Sequence, residues 1–272
     1  MKEKNKKIEQ LKEYCEKNPA ISLAFLYGSV ARGKETDDSD FDVAVLLAGR
    51  DEEDRVWRDV SGITEKNVDL VSIERAPASL VSSIFKTGIP LVIKDRKKYL
   101  DLYLEKTQEA EDFAEFAKNY FDIYQRSQSL TPEDRTRLID RVQFLEQELS
   151  DRQKFSSLTY QEYQEDRAQR RELERWAENI INALIDCAKI ILASEKKSMP
   201  KTYEAALSEF GILAGLSEEQ ALRFATLARL RNILAHEYLD ILYEKIQECI
   251  EKFESVQKDI FLCLKRYTDG VD

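Results

Sequence analysis

Apolar residues in the first hundred positions form short runs typical of strands, and segments with helical periodicity separate these runs. The strand-like runs lie at 21–27, 41–47, 68–73 and in IPLVIKD at 89–95, and the helical segments extend to about residue 18, over 51–64 and over 77–87. This alternation predicts a β-sheet flanked by helices in the first part of the chain.

Long segments of 3.6-residue periodicity replace the strand pattern after residue 97. Capping residues mark three helix starts: Thr131 before Pro132, and the capping boxes Thr159 to Glu162 and Ser217 to Gln220. This part of the chain therefore predicts an all-α antiparallel helical bundle. We expect the whole chain to belong to the α+β class.

The length of 272 residues favours two domains over one. A predicted helix at 98–126 closes the first domain, and the polar segment RSQSLTPED is the best candidate for a linker. We therefore expect domains at 1–128 and 129–272.

The net charge of −10 is spread along the chain. Residues 1–128 contain 21 basic and 25 acidic side chains, and residues 129–272 contain 21 and 27. A surface that is acidic throughout repels phosphate backbones, so RNA or DNA could bind only at a local basic patch. The arginines at the start of the second predicted domain are one such patch, or simply a solvated helix face: Arg167, Arg170, Arg171 and Arg175.

The four cysteines are far apart in sequence, so they predict neither a disulfide framework nor a zinc site. Reduced thiols and a charged N-terminal segment are typical of a cytoplasmic protein. The longest apolar run, NIINALIDCAKIILA, is interrupted by Asn182, Asp186 and Lys189 on one helical stripe. It predicts an amphipathic core helix and no membrane span.

Carboxylates interrupt two of the predicted strands. Asp40 and Asp42 are two positions apart and share one face of a strand, whereas Phe41 and Val43 face the core. Asp69 interrupts the apolar run VDLVSI in the same way. Neighbouring carboxylates repel each other unless a cation lies between them, and Mg²⁺ binds such groups together with substrate phosphates. We expect two Mg²⁺ sites.

The turn that precedes these acids offers a place for an anion. Gly28 and Ser29 follow a predicted strand and open a short helix, so backbone N–H groups and a hydroxyl would face a phosphate. Arg32 either contacts that phosphate or simply lies on the turn. Phosphates beside metal-binding acids are the layout of nucleotidyl transfer. A structural alternative is that KETDDSD is only a polar turn that solubilises a hairpin.

The sequence G-S, ten residues, then D-x-D resembles the minimal nucleotidyltransferases of the polymerase-beta-like superfamily, over residues 20 to 128. The resemblance implies a small mixed β-sheet with ATP as substrate. It also implies that Gly28 and Ser29 hold the triphosphate and that Asp40 and Asp42 bind both metal ions. Asp69 would complete one metal site and help to activate the nucleophile.

The helical half contains the only histidine of the chain, His236. On an ideal helix Arg231 and Tyr238 lie seven residues apart on one face, and Asn232 and His236 form an i, i+4 pair on the adjoining face. Histidine is the natural acid or base near neutral pH, and arginine matches a phosphate. Such a pair is suited to RNA cleavage in which the 2′-hydroxyl of the RNA is the nucleophile and no metal is needed.

The string RNILAHEY resembles the R-x4-H-x-Y signature of HEPN-family ribonucleases, and SMPKTYEAALSEFGIL resembles the segment before it in toxin members. The likeness spans 130 to 265 and implies a homodimer with a shared cleft. Those toxins pair with minimal nucleotidyltransferase antitoxins, which silence them by attaching AMP to the motif tyrosine. The resemblance therefore implies a fused toxin and antitoxin that modifies its own Tyr238, within one chain or between two.

Two other functions fit parts of the sequence. Antibiotic nucleotidyltransferases, which modify aminoglycosides and lincosamides, resemble this layout of a catalytic domain followed by a helical bundle, and an acidic bundle could hold a cationic drug. Alternatively, the helical half is a nucleotide-sensing or dimerising module without ribonuclease activity. One segment departs from the bundle pattern: the polar stretch 151–175 is expected to form an extended hairpin or a mobile arm.

Overall fold

A computed structural model describes residues 2–34, 36, 39–126, 130–236 and 239–269. The chain divides into two compact units, Met1–Asp112 and Phe113–Asp272. The division falls within one long helix, whereas the domain limits expected from the sequence lie at the segment RSQSLTPED. Residues 127–129 of that segment lie outside the described residues, so the limits at 1–128 and 129–272 stay a prediction.

The first unit alternates helices and strands as the apolar pattern predicts. Its elements are α1 (Lys2–Lys17), β1 (Ile21–Tyr27), α2 (Gly28–Ala31), β2 (Phe41–Leu47), α3 (Glu53–Thr64), β3 (Val68–Ser72), α4 (Ala78–Thr87), β4 (Ile89–Ile93) and α5 (Arg96–Arg126), which continues into the second unit. The strands have the order β3-β2-β1-β4 in one sheet. β1 is antiparallel to β2 and β4, and β2 is parallel to β3, so the sheet is mixed.

Helices cover both faces of this sheet. Leu11 of α1 and Val56 of α3 pack against one face, in a buried cluster with Phe41 and Val43. The opposite face packs against α4 and the start of α5, where Phe25 lies 5.2 Å from the ring of Phe85. A strand covered on both faces is apolar at nearly every position, which explains the unbroken apolar runs of β1 and β2.

The second unit is helical. Within the described residues it contains the end of α5, followed by α6 (Pro132–Ser150), α7 (Arg152–Ser156), α8 (Tyr160–Glu165), α9 (Arg167–Ser194), α10 (Tyr203–Leu213), α11 (Glu218–Ala225), α12 (Leu227–His236), α13 (Leu239–Glu254) and α14 (Gln257–Thr268). α9 is the central helix, because fifteen of its residues are buried. The predicted caps are confirmed, since Thr131 caps α6 and capping boxes open α8 and α11. No helix in the described residues has the length and apolarity needed to cross a bilayer.

The segment 151–175 differs from its sequence prediction. An extended hairpin or mobile arm was expected, but the segment forms α7, α8 and the first turns of α9. The rings of Phe155 and Trp176 lie 4.9 Å apart, and the ring of the buried Tyr163 lies 5.3 Å from that of Tyr243. A few large aromatic side chains therefore anchor a segment whose average composition is polar.

Candidate functional site

A row of polar side chains crosses three neighbouring strands of the first unit. Asp42 on β2 pairs with Tyr27 on β1 and with Asp69 on β3. Residues opposite each other in paired strands project from the same face of the sheet. Phe41 and Val43 lie buried in the core on the other face, as the alternation predicts. The topology therefore brings two of the three predicted carboxylates together.

The third carboxylate belongs to the same electrostatic group. Burial raises the pKa of Asp42, and the charges of Asp69 and then Asp40 raise it further, while Arg32 lowers it. Burial, Asp69 and Asp42 raise the pKa of Tyr27 to about 12. Asp40 and Asp69 are exposed and Asp42 is half-buried, so the row is open to solvent on one side. A cation placed here would relieve the repulsion between these carboxylates.

The glycine turn lies against this row. Gly28 has φ +73°, and a Cβ atom at this position would overlap the carboxylate of Asp42. Only glycine fits, both because of the left-handed backbone and because of the close approach. No side chain caps the start of α2, where Ser29 follows Gly28. The predicted phosphate-binding turn and the predicted metal-binding acid are thus in direct contact.

The donor set suits Mg²⁺, which prefers carboxylate oxygens and takes its other ligands from water and substrate phosphates. Among the residues that the structure describes, no three Asp, Glu, His or Cys side chains are grouped closely enough to bind one metal ion. One or two carboxylates of the row would therefore hold an ion together with phosphate oxygens. Assignment of Asp40, Asp42 and Asp69 as ligands stays a prediction.

The second predicted site lies at the end of α12. Its Arg231 is half-buried: Nε donates a 3.0 Å hydrogen bond to Oδ1 of Asn182 on α9, and the guanidinium lies 4.9 Å from the ring centroid of Tyr203 on α10. His236 is the last residue of α12. Tyr238 and the side chains of Asn232 and His236 lie outside the part of the chain that the structure describes, so their roles stay predictions.

The basic patch considered for RNA lies at the start of α9. Arg167, Arg171 and Arg175 are exposed there, and Arg175 pairs with Glu178 at 2.9 Å. A separate open cleft of about 760 Å³ lies between α5, α6 and α9. Positive and negative side chains line it in similar number, and it contains none of the predicted site residues. Neither the arginines of α9 nor this cleft contributes a residue to the two predicted sites.

Sequence reasoning missed three residues at these sites. Tyr27 directly precedes the glycine turn, a position that could have signalled its place beside the acids. Asn182 belongs to the polar stripe of the apolar helix, and Tyr203 lies in the segment KTYEAALSEF. The contacts of Asn182 and Tyr203 with Arg231 join helices that are distant in sequence, so the local pattern carried no signal for them.

Two separate segments of the chain match known protein families. Residues 9–97 match the family described as "Polymerase beta, Nucleotidyltransferase", and residues 145–260 match "Ribonuclease HepT-like". None of the curated proteins compared is significantly similar to the chain.

Solved structures of low identity are also similar. A chain of the toxin-antitoxin with AMP-PNP is 21% identical, with 44% of this chain and 95% of that chain covered and a TM-score of 0.36. A chain of the toxin-antitoxin MntA-HepT is 20% identical, with 44% and 94% covered and a TM-score of 0.33.

Replacing Gly28 with alanine tests the contact between the turn and Asp42. The new Cβ must displace the carboxylate, and we expect Mg²⁺-dependent binding of a non-hydrolysable ATP analogue to weaken roughly 10- to 100-fold, as when the support of a metal ligand is lost. Titration calorimetry measures this. Gly33→Ala is the matched control, because Gly33 has φ +66° but open space around its Cβ position. Equal losses in both variants would attribute the effect to backbone strain alone.

The raised pKa of Asp42 predicts how stability depends on pH. A carboxyl whose pKa is higher in the folded than in the unfolded protein destabilises the folded state when it ionises. Its unfavourable contribution to the free energy of unfolding therefore grows as pH rises through the folded pKa. In Mg²⁺-free buffer we therefore expect Asp42→Asn to raise Tm at pH 7 and the gain to vanish under acid conditions. Thermal unfolding followed by circular dichroism measures this. Asp101→Asn, an exposed site on α5, should show no gain; a gain there too would point to net charge.

Proposed function

Because this chain joins a nucleotidyltransferase domain of the polymerase beta type to a HepT-like ribonuclease domain, we propose that it is a fused toxin and antitoxin. In this proposal the first domain transfers AMP from ATP to Tyr238 of the second domain and silences its ribonuclease activity. The observation that carries the proposal is Asp42, which pairs with Asp69 on the next strand and whose carboxylate lies against the Gly28 turn, in a chain that also contains R-x4-H-x-Y.

The residues of the first unit have distinct roles in the transfer. The N–H groups after Gly28 and the hydroxyl of Ser29 would hold the triphosphate, with Arg32 nearby. Asp40, Asp42 and Asp69 would supply the ligands for Mg²⁺, one or two carboxylates to an ion, and the bound metal would neutralise charge on the phosphates.

The transfer itself is a displacement at phosphorus. The hydroxyl proton of Tyr238 passes to the carboxylate of Asp69, the phenolic oxygen forms a bond to the α-phosphorus, and the bond to the β-phosphate oxygen breaks to release pyrophosphate. A free tyrosine has a pKa of about 10, so it needs this help to act as a nucleophile.

The ribonuclease reaction needs a phosphate-binding cation and a group that titrates near neutral pH. Arg231 would hold an RNA phosphate, and His236 would move protons while the 2′-hydroxyl attacks the neighbouring phosphorus and the 5′-oxygen leaves. The spacing of the motif would place Tyr238 close to Arg231. An adenylate on Tyr238 would then add bulk and a negative charge beside Arg231. The RNA phosphate would then be both obstructed and repelled. Transfer between the two chains of a homodimer fits this proposal as well as transfer within one chain.

Labelled ATP tests the transfer directly. With Mg²⁺ and ATP labelled at the α-phosphate, we expect the purified chain to become labelled, whereas ATP labelled at the γ-phosphate should leave it unlabelled, because pyrophosphate departs. Tyr238→Phe and Asp40→Asn should both reduce α-label incorporation to background. Labelling from the γ-phosphate would indicate phosphorylation, and label that appears only on an added aminoglycoside would favour the antibiotic-modifying alternative.

The ribonuclease half is tested without its silencing. Asp40→Asn protein cannot modify itself, so we expect it to cleave single-stranded RNA, and addition of His236→Ala should reduce cleavage at least ~100-fold, the scale of general acid and base catalysis. Gel analysis of a labelled RNA measures this. Cleavage that persists in the double variant would place the activity elsewhere, and no cleavage in either protein would favour a dimerising or sensing module.

A further inference from the structure

We infer that Asn182 and Tyr203 are positioning residues that hold the guanidinium of Arg231 in the orientation required to bind an RNA phosphate. This inference rests on the proposed ribonuclease function and names two residues that the R-x4-H-x-Y motif does not include. They come from two other helices, α9 and α10, and meet α12 at a single side chain.

Two contacts restrain the guanidinium of Arg231. The hydrogen bond from Arg231 Nε to Asn182 Oδ1 is 3.0 Å long and lies at the edge of the guanidinium plane. The guanidinium carbon lies over the ring of Tyr203, 4.9 Å from its centroid, in a cation–π contact. The two contacts come from different helices and limit the movement of the guanidinium at two places. Both restrict the direction of the guanidinium fork.

The ring of Tyr203 is itself firmly held. Its side chain is buried, and two rings meet it edge to face: Phe113 at 5.2 Å and Phe116 at 5.4 Å. Such pairs contribute beyond the area that they bury. The Tyr203 ring that Arg231 contacts therefore belongs to the core of the second unit. A phosphate would bind a guanidinium that is already oriented. Preorganised donors lose less freedom when their ligand binds.

The chemistry of the Asn182 contact is informative, because its acceptor is an amide. Two residues earlier on α12, Arg229 forms a bidentate pair with the carboxylate of Glu204, at 2.7 and 3.0 Å. That contact compensates a charge at an exposed position. Asn182 instead accepts a hydrogen bond without contributing a charge of its own. An uncharged acceptor orients Arg231 and leaves its attraction for phosphate undiminished by that contact, which matters because bidentate recognition of phosphate depends on both charge and orientation.

The experiment compares four variants in the Asp40→Asn background with a labelled single-stranded RNA, by anisotropy for binding and by cleavage for kcat and KM. Asn182→Ala and Tyr203→Leu should each weaken RNA binding roughly 10-fold, the scale of one hydrogen bond to a charged group. Tyr203→Phe keeps the ring and should bind like the parent. Asn182→Asp keeps the acceptor but adds a negative charge, so it should remain folded and yet bind RNA more weakly, with a smaller dependence on salt.

Glu204→Gln is the matched control, because it weakens the Arg229–Glu204 contact between the same α10 and α12 helices but should not weaken RNA binding. Equal losses for Glu204→Gln and Asn182→Ala would overturn the inference in favour of ordinary helix packing, and so would parental binding by a folded Asn182→Asp. If the Asp40→Asn parent neither binds nor cleaves RNA, the proposed ribonuclease function fails. If the parent cleaves while all four variants behave like it, only the positioning role fails.

Discussion

Repulsion between carboxylates on neighbouring strands is the constraint on which the first unit depends. The sheet places Asp42 beside Asp69, and the close approach of Gly28 leaves the carboxylate of Asp42 little room to move away. Burial then raises the pKa of Asp42 in addition to the effect of its acidic neighbours. An isolated fold gains nothing from such an arrangement, because like charges placed close together destabilise the folded state. A cation bound with a polyphosphate would turn this repulsion into a binding site, which is why the site and the fold are explained together.

In the second unit, polar groups on the core helix connect it to its neighbours. The stripe on α9 consists of Asn182, Asp186 and Lys189: Asn182 accepts from Arg231, and Asp186 pairs with Arg141 at 3.1 Å and with Lys189 at 2.8 Å. A buried helix can carry polar side chains only if each finds a partner. The polar side chains of this stripe therefore have partners within the second unit, and one of them contacts α12, the helix that contains Arg231 and His236. The stripe thus contributes to packing between helices and, in our proposal, also to the orientation of Arg231.

Much of this follows from local patterns, and the remainder depends on tertiary structure. Strand alternation correctly predicts that Phe41 and Val43 are buried opposite Asp42, because the two-residue period of a strand is geometric. Strand order cannot be predicted in this way, so the place of Tyr27 beside Asp42 emerges only from the pairing of β1 with β2. The segment 151–175 was wrongly predicted because its average polarity conceals a few buried aromatic anchors such as Tyr163. A few large side chains outweigh many exposed polar ones in deciding whether a segment packs.

The central claim is that the carboxylates of the first domain act on the tyrosine of the second. Intact mass spectrometry of the protein as expressed tests it most directly, with Asp42→Asn protein prepared in parallel. The account predicts that the unaltered chain is heavier than its sequence by one or more increments of about 329 Da, the mass added by each AMP. After digestion the increment should lie on the peptide that contains Tyr238. Asp42→Asn protein should carry no increment. Two preparations of unmodified mass, or an increment that persists in Asp42→Asn protein, would contradict it.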